Sequence, residues 1–288
     1  MNPIPASELP VNSDGTIFHL HLKPENIADK LLLFGDPGRV TLAAKHLNHI
    51  ECDIQNREFH TVTGTYNGKR ITLLSHGIGT DNIDIVLTEL DALANIDLNT
   101  RIPKPTHKSL TLLRIGTSGS LQPDVPIGTP VLATKSIGTD GLLNYYDIAP
   151  NITEPEIEQQ LINHLNLSPR LARPYVVSSD EALNQRIGEG CLSGITISAT
   201  GFYGPQGRSV RLRPKYPNIN AQLQTFRYNG LKIINYEMES SALAGLAKAL
   251  GHHATTVCLI IAGRTSGSMN TTYTTNIEEL IKTMLNRI

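Results

Sequence analysis

The feature that most constrains the fold is a series of short apolar runs that lack polar alternation. LLLF (31–34) ends at a Gly-Asp-Pro-Gly turn, and ATTVCLIIA (254–262) is almost wholly apolar. Such runs are typical of strands buried on both faces of a sheet. Between them lie stretches with apolar residues at helical spacing, such as 81–96. The alternation predicts an α/β protein with a central, largely buried sheet.

Local signals predict the ends of several elements. Asn67-Gly68 stands between two alternating runs of β-forming residues, which favours a hairpin. Asp180 follows the apolar run 174–179 and is a suitable N-cap for a short helix. The last stretch, 277–288, has the spacing of an amphipathic helix.

The domain organisation is predicted to be simple. Residues 1–16 are polar and contain prolines, which indicates a flexible N-terminal arm. Residues 17–288 show no repeat or linker and are predicted to form a single domain. The stretch 99–108 has two prolines and several charges, and it resembles an inserted loop.

Composition excludes several classes of protein. The net charge is −1, from 25 basic and 26 acidic residues, so nothing global attracts nucleic acid or an anionic membrane. The three cysteines lack CxxC spacing and do not predict a disulfide framework, which favours a reducing compartment. No signal peptide is visible, and no apolar run approaches the roughly 18 residues of a membrane span. A cytoplasmic location is expected.

Two polar clusters follow apolar strands, where ligands collect in open α/β sheets. In the first, Gly35 allows an anion to approach the backbone closely and Arg39 supplies charge; the alternative is an ordinary turn. In the second, Arg114 lies within an apolar strand, and Thr117 follows it with further hydroxyls and glycines. A buried arginine needs a partner, which is either a bound anion or a structural acid.

A third cluster, 201–208, combines an aromatic, an amide and a guanidinium group. The ring of Phe202 can stack on a heterocycle, while Gln206 and Arg208 offer donors and an acceptor. The carbonyl and N–H edge of uracil matches this combination. The alternative is a Gly/Pro-rich surface loop.

The fourth cluster is Glu237-Met238-Glu239, between an apolar run and an Ala/Leu-rich run. A carboxylate can accept hydrogen bonds from the vicinal hydroxyls of a sugar, and methionine offers a flexible apolar contact. The alternative is a pair of acids that stabilise a helix N-terminus by about 0.3–1 kcal/mol.

Other catalytic motifs are excluded. GIGTDN, which begins at Gly77, lacks the third glycine of a dinucleotide loop, and there is no GxSxG or GxxxxGK[ST] motif. His252 and His253 have no ligand partners at suitable spacing, so we expect surface residues rather than zinc ligands.

Taken together, the motifs resemble those of the nucleoside phosphorylase-I family. The matching text, in chain order, is IFHL (17–20), GDPGRV (35–40), NREFH (56–60), HGIG (76–79), LRIGTSGSLQP (113–123), GFYGPQGR (201–208), NYEMESSALAGLAKALG (235–251) and IIAGRT (260–265). The resemblance implies a single-domain, three-layer α/β/α sandwich around a mixed sheet. It also implies a pentosyltransferase that cleaves nucleosides reversibly with phosphate.

The resemblance further implies roles for individual residues. Phosphate would be bound by Gly35, Arg39, Arg57, Arg114 and Thr117; ribose by His19, Glu237, Met238 and Glu239; and the base by Phe202, Gln206, Arg208 and Arg264. The catalytic residues among these would be Arg114, Glu239, Arg208 and Gln206. Arg57 and His19 would act across a subunit boundary, which implies a homo-oligomer: at least a dimer, with the hexamer usual in the family as the alternative.

The substrate expected from the resemblance is uridine, cleaved to uracil and ribose-1-phosphate in pyrimidine salvage. Purine-specific relatives place an aspartate after the last apolar strand, whereas this chain has Gly263-Arg264 there. The alternatives are purine nucleoside phosphorolysis, nucleoside hydrolysis and binding of a nucleoside without catalysis.

No cofactor is expected, since phosphate is the co-substrate. The resemblance also suggests a potassium site at Glu58, Ile78 and Asn82. Asn82 stands where bacterial members of the family commonly carry a serine, which weakens that expectation.

Overall fold

The computed structural model describes residues 2–288. The strands are β1 Lys30–Phe34, β2 His49–Asn56, β3 Phe59–Tyr66, β4 Lys69–Ser75, β5 Ile96–Asp97, β6 Ile102–Pro103, β7 Thr111–Ser120, β8 Pro130–Gly138, β9 Tyr175–Ser178, β10 Leu192–Ser198, β11 Arg227–Tyr228, β12 Leu231–Glu237 and β13 His253–Gly263. The helices are α1 Pro37–Ala44, α2 Thr80–Asn95, α3 Pro155–Leu165, α4 Glu181–Ile187, α5 Ile219–Thr225, α6 Ser240–Ala249 and α7 Thr274–Arg287.

One mixed sheet contains eleven of these strands. Its order is β11-β12-β10-β8-β13-β7-β1-β4-β3-β2, with β9 paired to β8. β12 also pairs with β7 through Asn235–Ser120 and Tyr236–Gly119, so β7, β13, β8, β10 and β12 form a closed ring. This closure brings the ends of β7 and β12 together.

Helices cover both faces of the sheet. β1 shows the alternation: Leu31 and Leu33 pack on the side of α2 and α6, whereas Leu32 and Phe34 pack on the side of α1, α4 and α7. A third apolar cluster lies under α3 and α5. The expected three-layer, single-domain α/β/α architecture with a mixed sheet is confirmed.

A predicted hairpin turn and a predicted helix cap are both present. Asn67 and Gly68 have positive φ angles of 48° and 76° and join β3 to β4. Asp180 caps α4, because its Oδ1 accepts a hydrogen bond of 2.8 Å from the backbone N–H of Leu183.

The stretch 99–108 overlaps a small hairpin formed by β5 and β6. The backbone of Ile4 donates to the carbonyl of Arg101 (2.8 Å), and the side chain of Arg101 donates to the carbonyl of Leu9 (3.3 Å). Leu9 itself is buried. These contacts tie the first residues to the hairpin; the mobility of residues 1–16 stays a prediction.

Candidate active site

A cleft of about 230 Å³ opens where β1, β7, β12 and β13 end. Ten of the predicted phosphate, ribose and base residues line it: Gly35, Arg39, Arg114, Thr117, Phe202, Gln206, Arg208, Glu237, Met238 and Glu239. They come from four separate stretches of sequence. The fold therefore brings the four predicted polar clusters to one place.

Arg114 is buried and is held by two carboxylates. Its Nη1 lies 2.9 Å from Glu237 Oε2, and its Nη2 forms a close ion pair with Glu239. Burial acts to lower the pKa of Arg114, but the two acids outweigh it and raise that pKa. The structural acid considered from the sequence is thus present. Since Nε donates to His76 and Nη1 also donates to Cys258, one N–H of Nη2 remains for another acceptor.

Glu237 and Glu239 accept hydrogen bonds from different parts of the chain. Glu237 accepts hydrogen bonds from the backbone N–H groups of Glu239 (2.9 Å) and Ser240 (3.0 Å), so it satisfies the N-terminus of α6. Glu239 instead accepts from the backbone N–H of Gly79 (2.7 Å). Burial raises the pKa of Glu239, while Arg114 opposes that rise. Glu239 is the acid better placed for a ligand.

Among residues 2–288, Arg39 has no carboxylate as an ion-pair partner, although it lines the cleft. Its Nη1 makes a long hydrogen bond of 3.4 Å to the carbonyl of Ile115, and its buried Nε has no partner among residues 2–288. Burial lowers the pKa of Arg39, and Arg114 adds to the effect. A largely buried guanidinium without an acid favours a bound anion.

The predicted base residues form one connected group. Nη1 of Arg208 donates to Oε1 of Gln206 (2.6 Å), and its guanidinium carbon lies 3.7 Å from the ring centroid of Phe202. Arg264 lies behind this group and donates to the backbone carbonyl of Gln206 (3.0 Å). Burial and the nearby Arg264 lower the pKa of Arg208 to about 10. Oε1 of Gln206 keeps a second lone pair, and its amide N–H₂ donates to no group among residues 2–288, so both ends can contact a ligand.

His19 and Arg57 do not line the cleft. His19 Nδ1 lies 2.6 Å from Glu89 Oε1, and Asn56 donates to the carbonyl of His19 (2.7 Å). The guanidinium carbon of Arg57 lies 5.7 Å from the ring centroid of Phe18, which is 40% exposed. These residues form an exposed edge, which we call the His19–Arg57 edge.

Two of the residues suggested for potassium contact each other. Nδ2 of Asn82 donates to Oε1 of Glu58 (3.2 Å), so the pair satisfies itself. Ile78 lines the cleft, and its side chain is 70% exposed.

Sequence reasoning missed the role of His76. This residue follows β4 directly and is fully buried. Its Nε2 accepts a hydrogen bond of 3.2 Å from Nε of Arg114. Burial, together with Arg114 and Arg39, holds the pKa of His76 well below its usual value, so the imidazole is neutral. A histidine directly after the apolar run TLLS was the available signal.

The prediction for His252 was wrong. His252 is buried rather than on the surface, whereas His253 is exposed and pairs with Asp180. Nδ1 of His252 accepts from the backbone N–H of Leu110 (3.2 Å), so its proton lies on Nε2, which is 3.2 Å from Asp91. Although His107 is also near, the protonated Nε2 is not a free metal ligand.

Comparison with known proteins decides the family. The family model described as the phosphorylase superfamily matches residues 30–286. The chain belongs to this superfamily. The expected resemblance to nucleoside phosphorylases is confirmed, and so is the expected enzyme class, a pentosyltransferase. Enzymes of this family use phosphate as the co-substrate.

Similar proteins include a uridine phosphorylase and a purine nucleoside phosphorylase. The uridine phosphorylase of Haemophilus influenzae is 30% identical over 254 residues, which cover 86% of this chain and 87% of that protein. A DeoD-type purine nucleoside phosphorylase of Geobacillus stearothermophilus is 29% identical over 274 residues, covering 93% and 98%.

A solved structure gives a close likeness over nearly the whole chain. The Trypanosoma brucei nucleoside phosphorylase, described as showing uridine phosphorylase activity, superposes with a TM-score of 0.86 at 27% identity. The match covers 97% of this chain and 98% of that one. The comparisons therefore establish the family, but they do not distinguish a pyrimidine from a purine substrate.

Proposed function

We propose that this phosphorylase cleaves uridine reversibly with phosphate, giving uracil and ribose-1-phosphate in pyrimidine salvage. One observation carries the proposal: the cleft joins an unpaired guanidinium, Arg39, to a donor pair, Gln206 and Arg208, with Glu239 also in its lining. Arg39 matches an anion, Glu239 matches the hydroxyls of a sugar, and the pair Gln206 and Arg208 matches a base rich in carbonyl groups.

In the proposed reaction, phosphate binds at Gly35, Arg39, Thr117 and the remaining N–H of Arg114. Met238 and Glu239 hold the ribose, with Glu239 accepting hydrogen bonds from its hydroxyls. As the bond from C1′ to the base nitrogen breaks, positive charge develops on the ribose, and the bound phosphate stabilises it. A phosphate oxygen then forms the new bond to C1′, since the bound geometry holds it in position to attack.

The electron pair of the broken bond passes to the base, which leaves as an anion. In uracil this charge spreads over the carbonyl oxygens, where Arg208 and the amide of Gln206 donate hydrogen bonds. The proton that hydrogen phosphate loses as it becomes ribose-1-phosphate reaches this anion through water and gives neutral uracil. The carboxylates of the cleft lining are Asp36, Glu237 and Glu239, and none belongs to the Phe202–Arg208 loop or to Gly263-Arg264. A leaving purine would lack an acid to protonate its ring nitrogen, so this arrangement favours a pyrimidine.

Purine nucleoside phosphorolysis is the second candidate. The similarity to a DeoD-type enzyme over 93% of the chain favours it. Nucleoside hydrolysis is disfavoured, because a hydrolase does not need an anion site built around Arg39 and Arg114. The same two arginines argue against a binding protein without catalysis.

The preference for a pyrimidine base is tested by incubating the enzyme separately with uridine, thymidine and inosine in phosphate buffer and by following the release of each base. We expect uridine to be cleaved with a kcat/KM at least about tenfold above that for inosine, a difference of about 1.4 kcal/mol. Inosine cleavage without uridine cleavage would make the purine alternative correct.

We also propose a homo-oligomer, at least a dimer, in which the His19–Arg57 edge completes the cleft of a neighbouring subunit. The exposed Phe18 and Ile78 support this assignment, since apolar side chains at an edge favour association. A hexamer, a bound potassium ion and a cytoplasmic location stay predictions. Within residues 2–288, no helix combines the length and the apolar character needed to cross a bilayer.

The neutral imidazole of His76 is expected to position Arg114 for phosphate. His76→Phe removes the acceptor for Nε of Arg114, and a hydrogen bond to a charged group is worth about 1.5–3 kcal/mol. We expect the KM for phosphate to rise about tenfold or more, with a much smaller change in the KM for uridine. Steady-state kinetics with each substrate varied in turn measures the split.

His76→Gln is the matched control, because its amide oxygen can accept the same hydrogen bond. It should recover most of the affinity for phosphate. Equal loss of affinity for both substrates in the Phe variant, without rescue by Gln, would show that His76 only supports the fold.

A further inference from the structure

A second cavity of about 810 Å³ lies beside the Phe202–Arg208 loop. Its walls are aliphatic: Leu161 and Leu165 come from α3, Leu223 from α5, and Ile137 and Ile197 from the sheet. It shares Arg208 and Tyr236 with the active-site cleft. A cavity of this size and character is large enough for a small molecule with an apolar body.

The rim of this cavity carries charge of one sign. Arg211, Arg213 and Lys215 line it together with Arg208, and no aspartate or glutamate does. Within residues 2–288, the side chains of Arg211, Arg213 and Lys215 make no ion pair or hydrogen bond, and all three residues are exposed. Three free cations beside an apolar cavity complement an anionic group.

The same segment exposes large apolar side chains. Val210 is 75% exposed and Leu212 is 89% exposed, and both alternate with the cations along the chain. Both also line the cavity. Exposed apolar groups next to a cavity favour an apolar ligand that would cover them.

We propose that this cavity binds a small amphiphilic anion. Its aliphatic body lies among the leucine and isoleucine side chains, and its carboxylate is held by Arg211, Arg213 and Lys215. The burial of the apolar body supplies affinity, while the cations select an anionic head group.

Such a ligand is expected to influence the base site. Arg208 lines both spaces, and it is joined to Gln206 and Phe202. A carboxylate that attracts Arg208 toward the second cavity would loosen this group. This coupling rests on the proposed function, whereas the binding itself does not.

The binding test uses 1-anilinonaphthalene-8-sulfonate, a fluorescent apolar anion, with decanoate as competitor. We expect saturable fluorescence that decanoate displaces and butanoate, with its short body, does not. The variant R211E/R213E should bind the dye about tenfold more weakly, because two charged contacts become repulsive. The control variant R186E/K282E makes the same change of charge at exposed positions of α4 and α7, and it should bind as the wild type does.

Several results would overturn the proposal. These are the absence of saturable binding, equal weakening by both double variants, or displacement by butanoate as readily as by decanoate. Sedimentation of the unliganded protein is a further test of the proposal. A dimer that R211E/R213E dissociates would show that a second copy of the chain covers the cavity, which also overturns it.

The coupling to the base site is tested by steady-state kinetics. Saturating decanoate should raise the KM for uridine at least about twofold and leave the KM for phosphate unchanged. An unchanged KM for uridine, alongside measurable turnover, refutes the coupling alone.

Discussion

Glu239→Gln should lower kcat/KM for uridine by about 10²–10³-fold, the usual effect of removing one preorganised electrostatic contact to a transition state. The carboxylate is expected to accept hydrogen bonds from the ribose hydroxyls and to stabilise the positive charge that develops on the sugar. A neutral amide can keep one acceptor, but it loses the charge. Steady-state kinetics at saturating phosphate measures the effect.

The stability of this variant separates a functional role from a structural one. Because Glu237 still pairs with Arg114 and still accepts from the N-terminus of α6, Glu239→Gln leaves no member of this ion network without a partner, and it should cost little more than a comparable change elsewhere. Glu158→Gln is the matched control: Glu158 is also buried and accepts a backbone hydrogen bond of 3.0 Å from Val176. We expect similar melting temperatures for the two variants but normal activity for the control. Loss of folding in Glu239→Gln alone, in proportion to its loss of activity, would assign Glu239 to the fold.

Arg114→Met should remove both activity and much of the stability. The substitution leaves Glu237 and Glu239 buried without their cation, and breaking a buried pair in this way costs about 3–5 kcal/mol. A fall in melting temperature of about 10 °C is expected for a chain of this size. Differential scanning calorimetry, with phosphorolysis assayed below the transition, measures both effects.

Neutralising the two acids should then restore stability without restoring activity. Arg114→Met/Glu237→Gln/Glu239→Gln removes all three charges of this network, so part of the lost melting temperature should return. Turnover should stay at background, since the phosphate contact and the ribose acceptor are both absent. Unchanged stability in the single variant would mean that the buried ion network is not formed as described.

The sequence predicted the general architecture because the relevant signals are local. The runs 31–34 and 254–262 lie within β1 and β13, and the turn at Asn67-Gly68 needed only its own two residues. The convergence of the four polar clusters followed from a general property of strand ends in α/β sheets. The resemblance to a family then supplied roles for their residues.

What the sequence could not show was how the side chains pair across the sheet. Arg114 and Glu239 are 125 positions apart, and their contact depends on the closure of the ring by β7 and β12. For the same reason no local pattern distinguished Arg39, which lacks a counter-ion, from Arg114, which has two. The burial of His252 likewise depends on residues distant in sequence, among them Leu110 and Asp91.

The most direct test of the central claim is product analysis with uridine in the presence and absence of phosphate. With phosphate, we predict release of uracil together with an equal amount of ribose-1-phosphate, and without phosphate we predict none of either product. Release of uracil at the same rate in phosphate-free buffer, with free ribose as the second product, would contradict the account.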